Sequence, residues 1–139
     1  MQQFGENILI GLSTGLASGL VTGLYSGLVI SRRNRFDSLR AELLRHVSSI
    51  EYMQEPGHVA IQRGSSAQVL FVAGELAHFG HSLAAEAALV GNRIVVSALF
   101  DAERGAIDAG ILEARLDEAR DAFRSIRPSV KTYFPWGQV

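Results

Sequence analysis

Between Gly11 and Ile30 the chain reads as five tetrads, GLST, GLAS, GLVT, GLYS and GLVI, with a leucine after each glycine. In water five glycines would make a poor helix, since each costs ~1 kcal/mol relative to alanine. In lipid the backbone has no solvent partner and must satisfy its amides internally, so a helix is nearly forced. The run from Asn7 to Ser31 holds no charged residue and is closed by Arg32, Arg33 and Arg35. It is long enough for the ~20 apolar residues that a membrane-crossing helix needs. A transmembrane helix over residues 8–31 is the expectation, and the glycines become its packing surface.

Positions four apart on a helix drift by only about 40°. Gly11, Gly15, Gly19, Gly23 and Gly27 therefore form a slowly winding groove. Thr14, Ser18, Thr22 and Ser26 each precede the next glycine, which makes one side small and weakly polar. Leu12, Leu16, Leu20, Leu24 and Leu28 lie about 100° round and supply a bulky side suited to lipid. Gly-xxx-Gly with flanking Ser and Thr lets helix backbones approach closely, and a period above 3.6 favours right-handed crossing. Five such steps in register predict a glycine zipper and a homo-oligomer. The small face can instead meet another helix of a larger membrane complex. If the hydroxyl row of Thr14, Ser18, Thr22 and Ser26 faces a lumen, the pore has no charge in its lining and little charge selectivity.

A secretory signal has a basic region before its apolar core, whereas Met1 to Asn7 contain no Lys or Arg. The segment thus reads as an uncleaved anchor. Arg32, Arg33, Arg35, Arg40 and Arg45 follow it, and by the positive-inside rule they hold the C-terminal side in the cytoplasm. The expected placement is single-pass in the inner (cytoplasmic) membrane, with residues 1–7 outside. The 139 residues leave room for one soluble domain. With a net charge of −1 and no cysteine, the chain has no global charge bias toward a partner. Disulfides, thiolate nucleophiles and Cys-based zinc sites are excluded.

The expected fold class is all-α, with the membrane helix followed by a cytoplasmic helical bundle. Phe36, Leu39, Leu43, His46, Ile50 and Met53 fall at spacings of three and four and predict a juxtamembrane neck helix over 32–55. Pro56 and Gly57 end it, and Val59 and Ile61 alternate with polar neighbours too briefly to decide between strand and loop. A helical domain is expected over 58–128. Ser65 and Gln68 fit a capping box opening a helix with a face of Val69, Val72, Leu76, Phe79, Leu83, Ala87 and Val90. Gly74 and Gly80 invite close contact or a kink, and Gly91 with Asn92 is the expected interruption. Residues 93–105 have strand character at Ile94, Val95 and Val96 but continue better as helix. Asp108 caps a last helix whose face is Leu112, Leu116, Ala119, Phe123 and Ile126, with ion pairs expected between Asp117 and Arg120 and between Asp121 and Arg124. The tail 129–139 carries Tyr133, Phe134, Pro135 and Trp136, aromatic area that is expected to dock on its own bundle or on a neighbour.

No phosphate loop, nucleophile elbow or His-Glu-x-x-His occurs. Glu75, His78 and His81, with Glu42 and His46, come nearest to a metal pattern. A di-iron bundle needs two Glu-x-x-His motifs and two further glutamates, so no metal, cofactor or enzymatic activity is expected. Arg32, Arg33, Arg35, Arg40 and Arg45 are the candidate anion or ligand site, for a lipid headgroup or a phosphate-bearing ligand. His46 can sense pH or be a tolerated polar core residue.

One small membrane segment joined to a small cytosolic sensing domain is similar, at the level of architecture alone, to bacterial defence effectors that respond to phage. That resemblance implies a pore or other membrane perturbation gated by the cytoplasmic domain. Two other readings are open. One is a membrane-anchored scaffold or adaptor that holds a cytosolic protein partner without conducting. The other is a membrane-bound sensor of a nucleotide or oligonucleotide.

Overall fold

The computed structural model describes residues 2–63 and 67–134, so the expected cap at Ser65 and the tail residues Pro135 and Trp136 lie outside the described residues. One unbroken helix, α1 (Gln2–Ser48), carries the chain from the glycine repeat into the core. Its large side chains from Ile10 to Leu28 are exposed, and its most apolar window has no buried residue. Further on, Phe36, Leu39, Leu43 and Val47 are buried. They lie at spacings of three, four and four, the average of a helix lying against a globular core, and they pack against α2 (Ala67–His78) and α4 (Ala109–Ser125).

The expected neck is therefore a helix of the bundle itself. Val47 takes the buried place expected for His46, which is half-buried, and Met53 is 54% exposed. The helix also stops at Ser48, short of the expected residue 55, because the chain reverses into a hairpin. Strand β1 (Glu51–Glu55) pairs antiparallel with β2 (His58–Arg63), with Tyr52 opposite Ile61, Gln54 opposite Val59 and Glu55 opposite His58. Pro56 and Gly57 are its two-residue turn, and proline followed by a glycine at φ 93° is the type II pattern. Val59 is buried and Tyr52 and Ile61 pack beside the core, an alternation that gives the hairpin one inner face. The fold is thus mostly helical with a small two-stranded sheet, a correction to the all-α expectation.

The expected long second helix is two helices. At its end the His81 amide donates to the Leu76 carbonyl at 2.8 Å and the Gly80 amide to Ala77 at 3.0 Å, the Schellman pair of bonds. Gly80 supplies the left-handed residue this cap requires, at φ 76°. After the break α3 (Ser82–Glu103) runs straight through Gly91 and Asn92, where an interruption was expected, and includes most of 93–105 as helix. The turn shifts the face: Ala84, Ala85, Ala88, Val95, Ala98 and Ala102 are buried while Leu83 is 81% exposed, and Phe79 and Val90 are exposed as well.

Gly91 is needed for closeness. A Cβ there would lie 2.3 Å from Cε1 of Phe123, so α3 and α4 approach through the missing side chain. A second Schellman cap ends α3, with the Gly105 amide bonded to Ala102 and the Ala106 amide to Asp101. Gly105, at φ 69°, would also place a Cβ 2.3 Å from the Gly57 carbonyl oxygen, so the hairpin tip seats on this loop. Asp108 then caps α4 as expected, its Oδ1 accepting from the Ile111 amide at 2.8 Å. Leu112, Leu116, Ala119, Phe123 and Ile126 are all buried.

Candidate functional site

Among the described residues two helices are long and apolar enough to cross a membrane, the Ile10–Ser48 part of α1 and all of α3. They differ in burial. No residue of the apolar window of α1 is buried, whereas that of α3 is partly buried in the bundle. Along α1, a Cβ built on Gly11, Gly15, Gly19, Gly23 or Gly27 would meet nothing within 4 Å. The small face is thus open along its whole length. Thr14 donates its hydroxyl to the Ile10 carbonyl and Ser18 donates to the Gly15 carbonyl at 3.2 Å. Hydroxyls in an apolar helix commonly satisfy themselves on the preceding turn in this way. Thr22 and Ser26 lie on the same exposed stretch.

The five arginines after the repeat point in different directions. Arg32 donates to the Phe134 carbonyl at 3.0 Å. Arg33 pairs with Asp37 at 3.1 Å and donates to the Tyr133 hydroxyl at 2.7 Å; the carboxylate of Asp37 holds its guanidinium further above its ordinary value. Arg35 pairs with Glu75 on α2 and stacks over Phe79. Arg40 donates to the Arg124 carbonyl in the last turn of α4, and its Nε is buried without a hydrogen-bond partner. Arg45 is exposed and makes no such contact among the described residues.

Arg33 and Arg40 remain together. They are seven residues apart and so about 20° apart around the helix, and both line an open cleft of about 510 Å³. The opposite wall is the end of α4, which adds Arg124, and the segment just after it, which adds Arg127. A 3-10 turn, Val130–Tyr133, closes one side. The tail is held there by Tyr25, whose hydroxyl donates to the Tyr133 carbonyl at 2.7 Å, as well as by Arg32 and Arg33. The described part of the aromatic tail, through Phe134, therefore docks on its own α1, where sequence reasoning left two possibilities.

The Glu and His residues of the metal pattern separate. Glu75 goes to Arg35, and His78 stacks against Phe79 at 5.4 Å. His81 is buried at the α2–α3 break, edge-on to Phe36 at 4.9 Å, and its Nδ1 accepts from the Ser129 amide at 3.1 Å. Desolvation by burial lowers its pKa. His46 approaches Glu42 at 3.6 Å. Among the described residues no three His, Asp or Glu side chains could share a metal ion.

One polar cluster extends the expected Asp117–Arg120 pair to Glu113 and Tyr52, which the sequence did not single out. The Tyr52 hydroxyl donates to Glu113, and Arg120 bonds both Glu113 and Asp117 at 2.6 Å. The Arg120 hydrogen bond, then the Tyr52 hydrogen bond, hold the Glu113 carboxyl below the usual range, and the bond to Glu113 raises the Tyr52 phenol. This cluster ties the hairpin to α4 and lines no cleft described above. Arg124 and Arg127 were missed as site residues for a different reason: they lie 84 residues or more from Arg40 in the chain, and only the packing of α4 on α1 brings them together. No family model, curated protein or solved structure matches this chain.

Proposed function

We propose that the chain is a homo-oligomeric, single-pass protein of the inner membrane, assembled through the glycine face of α1. In this reading residues 8–31 cross the bilayer with the N-terminus outside, and the bundle lies in the cytoplasm. The assembly opens a pore or otherwise perturbs the membrane under control of the bundle, in the manner of an antiphage defence effector rather than of an enzyme. The observation that carries the reading is the pairing of an apolar, unburied helix with five glycines whose Cβ positions face open space. In lipid such a face gains van der Waals contact only by meeting another helix closely. A second copy offers the same groove in register.

Liposomes holding the purified chain test the pore. The expected result is conductance or dye release triggered by a pH step, polyadenylate or a cyclic nucleotide, together with a crosslinked oligomer. An oligomer in a bilayer that stays silent under every one of these ligands would replace the pore with a membrane-anchored scaffold for a cytosolic partner. A monomer in lipid would end both.

A further inference from the structure

We propose that the cleft between α1 and the end of α4 is a phosphate-binding site, built from Arg33, Arg40, Arg124 and Arg127. Four arginines line one cavity of about 510 Å³ and no acidic residue does. Asp37 and Asp121 are paired locally to Arg33 and Arg124 and sit outside the lining. Arg127 has neither an ion pair nor a hydrogen bond among the described residues. Like charges gathered around one concavity repel one another and concentrate a field that an anion relieves. Guanidinium is also the side chain whose planar fork matches phosphate oxygens two at a time.

The position of the cleft adds a second line of support. Arg33 lies two residues beyond the last residue of the uncharged run, or about 3 Å along the helix, and Arg40 about 14 Å. With residues 8–31 in a bilayer, the cleft would open at the headgroup layer, where anionic lipids present their phosphates. Tyr133 in the wall, 40% exposed, suits the apolar part of such a ligand. A soluble phosphate ester would use the same four side chains. The site deepens the arginine reading made from the sequence, replacing a row on one helix with a cleft shared by two. It does not depend on α1 crossing a membrane, since the cleft is made by the bundle.

Equilibrium binding to the full chain in detergent tests it, with inorganic pyrophosphate and short-chain phosphatidylglycerol as probes and short-chain phosphatidylcholine as the zwitterionic reference. We expect saturable binding of pyrophosphate, of phosphatidylglycerol, or of both. The double variant Arg124→Gln/Arg127→Gln, at exposed positions in and just past the last turn of α4, should weaken it by about tenfold or more, as loss of charge-assisted hydrogen bonds does. Arg45→Gln, outside the cleft, should leave it unchanged. Binding of phosphatidylglycerol alone assigns the phosphate to a lipid headgroup, and binding of pyrophosphate alone assigns it to a soluble ester. Absence of saturable binding with both probes, or an equal loss in Arg45→Gln, overturns the site, while oligomer formation in lipid is read independently of either outcome.

Discussion

Gly91 of α3 faces the ring of Phe123 so closely that a Cβ would come within 2.3 Å of its Cε1 and 2.8 Å of its Cζ. Phe123 is fully buried, so the ring has no solvent to swing into. Gly91→Val should therefore destabilise the bundle by about 2 kcal/mol, the cost of forcing extra volume into a packed core. Gly74 on α2 is the control, because its Cβ would meet nothing and Gly74→Ala should stabilise by about 0.5–1 kcal/mol through helix propensity. Thermal or urea unfolding of the two variants checks the pair. Equal effects in the same direction would place α3 and α4 wrongly.

His81 makes stability depend on pH in a stated direction. The unfolded chain protonates a histidine near pH 6.5, while burial holds the folded imidazole below that. The folded state then binds fewer protons between the two values, so the contribution is present above pH 6.5 and lost as pH falls through the window. A protonated ring carries hydrogen on both nitrogens, and Nδ1 can no longer accept from Ser129. Urea midpoints from pH 8 to pH 5 should fall, and His81→Gln should flatten that fall. A variant with the full slope of the parent would remove His81 as its source.

Tyr52, Glu113 and Arg120 should behave as one unit. Tyr52→Phe removes one hydrogen bond and should cost about 1 kcal/mol. Glu113→Gln removes the charge facing Arg120, whose side chain is 16% exposed, and should cost about 1–2 kcal/mol. In a double-mutant cycle the two losses should fall short of adding, by about 0.5 kcal/mol or more. Strict additivity would mean that Tyr52 and Glu113 are coupled only on paper.

The proposed assembly has its own test in α1. Gly19→Ile puts a branched side chain at the middle of the open face and should reduce the crosslinked oligomer by about tenfold if close approach drives it. Leu20→Ile, one residue on and on the bulky side, should not. Identical behaviour of the two would mean the glycines do not form the contact.

How far the sequence reached depends on the physics of each element. The face and cap of α4 were legible because its period is regular and Asp108 stands where a cap must. The hairpin was not: its strands have five and six residues, and Pro56–Gly57 serves equally as a helix stop and a strand turn. Gly80 and Gly91 look alike in sequence, yet one adopts a positive φ to end a helix and the other leaves room for Phe123. Which role a glycine plays is fixed by tertiary packing. The arginine cleft is the extreme case, since periodicity groups Arg33 with Arg40 but says nothing of Arg124 and Arg127 arriving from the far end of the chain.

Between Ile30 and Ser48 there is neither glycine nor proline, and α1 passes through this stretch as continuous helix. The rod therefore has no joint between the part gripped by the bundle at Phe36, Leu39, Leu43 and Val47 and the part bearing the glycine row. A rotation of the lower half is carried toward the upper half by continuous helix, as torque along a shaft. A turn of about 40° would move each glycine of the repeat into the bearing of its neighbour four residues away, so in the proposed assembly a modest twist at the base suffices to re-aim the glycine face.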